Sequence, residues 1–231
     1  MPLFLAFIFP IGIYCLILGA LNRRDRPVLV SGRWDFAGVL FAASGLLLVV
    51  GPAVIASVEE RSRNYWLWGH PGSGDGPGGA TYLIGLGVRL LYLLVVILGS
   101  AWMLNRRRAV TAVYNVDQAM LEVGLSRVLE RLGLEWRRTG NYFLLKPGAS
   151  NGLALELEAF PPLRHATLRW HGVEAASRQA IEKELETVLA GMPTNENAVA
   201  GWFYSLGASV MLVTLAGVAF LLFVNWRRIR G

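Results

Sequence analysis

Few residues in this chain have types and spacings that could do chemistry. His70, Ser73 and Asp75 fall within a single stretch, HPGSGD. A histidine beside an acid can work as a general base on a hydroxyl nucleophile, but only in a rigid frame. The surrounding string, GHPGSGDGPGG, is too rich in glycine and proline for regular structure. It also lacks the lysine and following helix of a phosphate loop. These three residues are the only basis for a membrane-enzyme reading, and no catalytic residue is assigned.

His165 and His171 lie on one strand face, six residues apart. At about 3.3 Å per residue they stand roughly 20 Å apart. Metal–nitrogen bonds are about 2 Å, so the two cannot share an ion. They are read as surface histidines, with no metal or other cofactor expected. Glu156, Glu158, Phe160, Arg169 and both histidines are expected on the wet face of a sheet. That set is the candidate interaction face for a protein partner or for lipid headgroups. Arg89 stands alone inside an apolar stretch. A charge there costs roughly 2.5–3.5 kcal/mol, so it should face other helices or reach outward along its stem.

The elements that hold these residues follow from hydropathy. Of 231 residues, 54% are hydrophobic and 16% are charged. That is more apolar and less charged than an ordinary soluble domain. Four uncharged or nearly uncharged runs are each long enough to cross a bilayer: about residues 2–21, 36–58, 81–104 and 202–224. The first has no positive charge before it, with Arg23, Arg24 and Arg26 behind it, so it reads as a retained helix rather than a cleaved signal. Cys15, the only cysteine, falls inside it, so no disulfide can form within the chain. Residues 59–80 form a Gly/Pro-rich loop that contains Tyr65, Trp66 and Trp68. Trp102, Trp202 and Trp226 sit at span ends, as interfacial anchors do.

Residues 109–192 differ in character. Val110–Val116 reads as a strand. Asp117 is placed to cap the next helix, which shows Leu121, Leu125, Val128 and Leu132 at helical spacing and should end near Gly133. Asn141–Lys146, Leu153–Phe160 and Arg164–His171 read as strands. Leu153, Leu155 and Leu157 alternate with Glu156 and Glu158. A last helix covers Glu174–Met192, with Ile181, Leu185, Val188 and Met192 on its apolar face. Residues 193–201 are a linker, and a basic tail ends the chain. The expected fold is therefore an integral membrane protein of four transmembrane helices. One small α+β sandwich (strand, helix, three strands, helix) is inserted between spans three and four.

The order from Asp117 to Met192 is similar in topology alone to double-stranded-RNA-binding modules. Those begin their second helix with clustered lysines, whereas this chain reads Val173-Glu174-Ala175-Ala176-Ser177-Arg178. Residues 110–196 hold nine basic and eleven acidic side chains, so the excess behind the net charge of +6 lies in the membrane-flanking segments. Without clustered cations the phosphate attraction that drives nucleic-acid binding is missing, and no nucleic acid is expected. The basic flanks fit anionic lipid and a cytoplasmic bias. Seven arginines flank the spans on the domain's side (23, 24, 26, 33 and 106–108). Five stand on the other side (61, 63, 227, 228 and 230).

Twenty arginines against two lysines suggest a GC-rich bacterial genome, and hence the inner membrane. The leading expectation is a membrane-anchored interaction or scaffold protein. A component of a transporter or channel is the alternative, since glycines in the spans allow close helix association in homo- or hetero-oligomers.

Overall fold

The computed structural model describes residues 2–58, 79–145, 153–194 and 197–230. Among them, three helical runs are long and apolar enough to cross a membrane: Gly32–Val58, Gly85–Ala109 and Ala198–Arg227. The first helix, α1 (Pro2–Asn22), contains a shorter apolar stretch, Phe7–Asn22. The chain divides into two compact units, each characterised over its described residues alone. One draws on 1–13, 39–103 and 209–231, the other on 14–38 and 104–208.

The described residues of the first unit are all helical. It contains the later part of the run opened by α2 (Gly32–Gly45), most of α3 (Gly79–Arg106) and the end of α6 (Ala198–Arg230). After α2 the chain makes one π-helical turn, Leu46–Val50, and is helical again over 51–58. The sequence contains a cause. In the wider turn the Gly51 amide donates to Leu46 O, five residues back. The next donor in that register would be residue 52, which is Pro52 and has no N–H. The carbonyl left over is Leu47 O, and the Tyr92 hydroxyl of α3 donates to it at 2.8 Å. Gly51 makes room for that hydroxyl, since a Cβ there would lie 2.0 Å from it. Elsewhere in the unit a Cβ on Gly12 would lie 2.8 Å from Val210 Cγ1, and one on Gly217 would lie 2.7 Å from Leu5 Cδ2, so a larger residue would have to displace those side chains. Small residues at such crossings let apolar helices approach closely.

The second unit holds a six-stranded antiparallel sheet. Its strands are β1 (Val28–Ser31), β2 (Val110–Tyr114), β3 (Trp136–Thr139), β4 (Tyr142–Leu145), β5 (Leu153–Phe160) and β6 (His165–His171). The spatial order is β1-β2-β6-β5-β4-β3. Two helices, α4 (Gln118–Arg131) and α5 (Ala175–Ala190), cover one face. Leu121, Leu125, Val128 and Leu129 of α4 meet Ile181, Leu185, Val188 and Leu189 of α5 over Val113, Phe143, Leu155, Leu157, Leu168 and Trp170. Burying each such side chain contributes about 1.5–3 kcal/mol. Gly124 lets the helices close up, since a Cβ there would stand 3.2 Å from Leu189 Cδ2.

Several sequence expectations need correction. Two strands were not foreseen. β1 comes from the short segment between the first two apolar runs and pairs Val28 with Tyr114 and Val30 with Ala112. Four residues give too little alternation to stand out. β3 carries Arg137 and Arg138 on four residues and shows no apolar period. Asp117 occupies the N-cap position of α4 but forms no side-chain cap bond. Its carboxylate instead accepts from Arg164 Nη2 at 2.9 Å. The apolar face of α4 turns inward at Leu129, leaving Leu132 39% exposed, because the helix ends at Arg131 and Gly133 turns the chain away at φ +63°.

Candidate interaction face

The register of β5 against β6 sets Glu156 opposite Arg169, Glu158 opposite Thr167, Phe160 opposite His165 and Ala154 opposite His171. Because the pleat alternates, Glu156, Glu158, Phe160, His165, Arg169 and His171 all lie on the face away from α4 and α5. They do not act as one group.

Toward β4 the face is open. Arg169 Nη2 meets Glu158 Oε2 at 2.7 Å, one diagonal step across the ladder. His171 Nε2 and Glu156 Oε2 are 3.1 Å apart, and the Tyr142 hydroxyl of β4 donates to Glu156 Oε1 at 3.1 Å. The hydrogen bond from His171 holds the Glu156 carboxyl below its ordinary range, and the Tyr142 bond and the Arg169 charge pull the same way against burial. Donating to Glu156 raises the Tyr142 phenol. Phe160 is 53% exposed and Tyr142 43%. Two aromatic rings stand in water here among charges already paired.

Toward β1 the same face is closed. Val110, Ala112 and Tyr114 of β2 are buried although they point away from the helices. His165 belongs to this half and is not the surface histidine that alternation suggests. It is half-buried, with its ring tilted 54° against that of Tyr114 and centroids 4.8 Å apart. Its Nε2 is enclosed with no hydrogen-bond partner among the described residues. Burial pushes its pKa down, and the nearby charges of Asp35 and Glu158 offset that only in part. The Tyr114 hydroxyl donates to Asp35 Oδ1 of α2 and also interacts with the Tyr14 hydroxyl of α1. Burial first, then the bond to Asp35, moves the Tyr114 phenol far above its ordinary range. Gly38 admits the Tyr14 ring, for a Cβ there would lie 2.8 Å from Tyr14 Cε2.

Reading the sequence missed this cluster. Asp35 falls one residue before the expected second span, and Tyr14 is one aromatic among many apolar neighbours. The available signal was an acid in the first turn of an apolar helix, which needs a donor nearby.

A second polar seam ties the helix ends to the sheet. Asn115, at φ +56° just after β2, donates to Arg24 O at 2.6 Å and to Thr194 Oγ1 at 2.8 Å. Buried Asn22 accepts from Asn197 Nδ2 at 3.0 Å. Arg89 lies in α3, half-buried. His70, Ser73 and Asp75 lie outside the described residues. Among the described residues, no group of three His, Cys, Asp or Glu side chains is placed to hold a metal ion. No protein-family model, curated protein or solved structure matches this chain.

Proposed function

We propose that this chain is a multi-pass protein of a bacterial inner membrane that works as a membrane-anchored interaction or scaffold subunit. In this reading α1 is the fourth span beside the three long apolar runs, and the sheet unit faces the cytoplasm. The open half of the sheet face is the surface that takes a protein partner. One observation carries the reading: a single sheet face is closed over β2 and left open toward β4 and β5, with Phe160 and Tyr142 exposed among paired charges. Exposed aromatics ringed by polar groups are what a recognition patch presents.

A photo-crosslinking residue at position 160 or 169 should give a discrete adduct in cells, and one at the exposed Glu130 on α4 should give none. Equal yields, or no adduct from the sheet positions, would falsify the reading. For sidedness, Cys15→Ser with Glu186→Cys should react with an impermeant thiol reagent only after the membrane is opened. Labelling of intact cells would place the unit outside.

A second reading, a component of a transporter or channel, draws on the π turn. Single π turns within helices often mark functional positions. Arg89 and Tyr92 are three residues apart and so share one face of α3, the face that supplies the hydroxyl for Leu47 O. Under this reading Arg89→Leu abolishes a transport phenotype while the protein still inserts. An unchanged phenotype removes it.

A further inference from the structure

A cleft of about 410 Å³ opens where β1 meets α2, lined by Arg33 of α2, Arg107 and Arg108 of the 3-10 turn that follows α3, and Arg178 and Glu182 of α5. Four guanidiniums and one carboxylate converge on it. The carboxylate is engaged already. Glu182 Oε1 accepts from Arg178 Nε at 3.0 Å and from the Thr111 hydroxyl. Arg178 also donates to Arg108 O, which fixes the backbone of the turn that carries two of the other cations. Arg107 lies over the Phe36 ring, 5.3 Å from its centroid, which holds the guanidinium in place without cancelling its charge.

Arg33, Arg107 and Arg108 therefore face one cleft with no carboxylate partner among the described residues. Like charges gathered this way repel, and an anion relieves them. A guanidinium offers a planar fork of donors that matches phosphate oxygens. The first turn of α5 lines the same cleft and has no side-chain cap. Position along the chain sets the depth: Arg33 is the second residue of the apolar run Gly32–Val58, and Arg107 and Arg108 close the run Gly85–Ala109. Ends of spans lie at the level of lipid headgroups.

We propose that this cleft binds a phosphate group, supplied by the headgroup of an anionic phospholipid. The chemistry belongs to the phosphate; the lipid source rests on the reading of these helices as spans.

The test uses the full chain in a non-ionic detergent, with native mass spectrometry counting lipid adducts. Phosphatidylglycerol and phosphatidylcholine are offered in turn, and inorganic phosphate in a separate titration. The variant is Arg33→Gln with Arg107→Gln and Arg108→Gln. The charge-matched control is Arg23→Gln with Arg24→Gln and Arg26→Gln. The wild type and the control should retain phosphatidylglycerol over phosphatidylcholine, and the triple variant should lose about tenfold or more of that retention. Arg33→Gln alone, at an exposed position, should lose a smaller part and serves if the triple variant does not fold. Displacement of the lipid by millimolar inorganic phosphate, with a rise in melting temperature seen in the wild type but not in the triple variant, would keep the site and reassign its source to a soluble phosphate. Equal retention of both lipids, or equal loss in the variant and the control, overturns the proposal, because the arginines would then act only as general surface charge.

Discussion

The two faces of the sheet are built on different principles. The face under α4 and α5 is apolar, and its residues touch one another through Leu121, Leu125, Leu155, Leu168, Leu185 and Leu189. The other face has polar groups along its length, yet half is buried and half is wet. On the apolar face energy follows area and volume, with little dependence on direction. On the polar face it follows whether each donor meets its acceptor, because an unmet buried group costs about 1–3 kcal/mol while a met one contributes modestly. The closed half pairs Tyr114 with Asp35; the open half pairs Arg169 with Glu158 and His171 with Glu156. Equivalent pairing in two environments should carry unequal weight.

The contrast is sharpest on the apolar face. Leu155→Ala opens a cavity where no water reaches and should cost about 2–5 kcal/mol. Hydrogen–deuterium exchange of β5 and β6 peptides, measured on the full chain in detergent, should show their protection falling together. A loss under 1 kcal/mol would mean the core can collapse around the gap.

Tyr114→Phe comes next. It keeps the ring and leaves the Asp35 carboxylate short of one donor, at a cost of about 1–3 kcal/mol. The same exchange measurement should locate the loss in β1 and β2. A neutral result would show that Tyr14 or water takes over.

His165 gives a pH signature. Its folded pKa is lowered from the ordinary 6.5. Between the two values the unfolded chain binds more protons, so stability there rises with pH. The contribution is fully present above about 6.5 and is lost as pH falls toward the lower folded value. His165→Phe should flatten that slope, read as β2 and β6 exchange between pH 5 and 8. An unchanged slope would assign it to other groups.

The open half should respond least. Glu158→Ala removes an ion pair whose two side chains are both well exposed to solvent, and should change stability by no more than about 0.5 kcal/mol. Its effect should appear instead in the crosslinking yield from position 160. A large loss of stability would mean that this half is also structural.

Much of this architecture could be read along the chain. Three long apolar runs, the alternation of Leu153, Leu155 and Leu157 with Glu156 and Glu158, and the helical spacing of Ile181, Leu185 and Val188 are local patterns. They arise because a period of 2 or 3.6 residues turns one face of an element toward apolar surroundings. The sharing of one sheet face by Glu156, Glu158, Phe160, His165, Arg169 and His171 was legible for the same reason.

Only the tertiary structure decided how that face divides. Val28–Ser31 pairs with β2 across 80 to 86 positions of sequence, and Asp35 meets Tyr114 across 79. Arg33 shares its cleft with Arg107, Arg108 and Arg178. No periodicity records such meetings, since periodicity reports only the surroundings of neighbouring residues. The sequence by itself settled which faces are apolar. Burial and the partners of buried polar groups were set by long-range packing, which turned a histidine expected in water into one half-buried beside Tyr114.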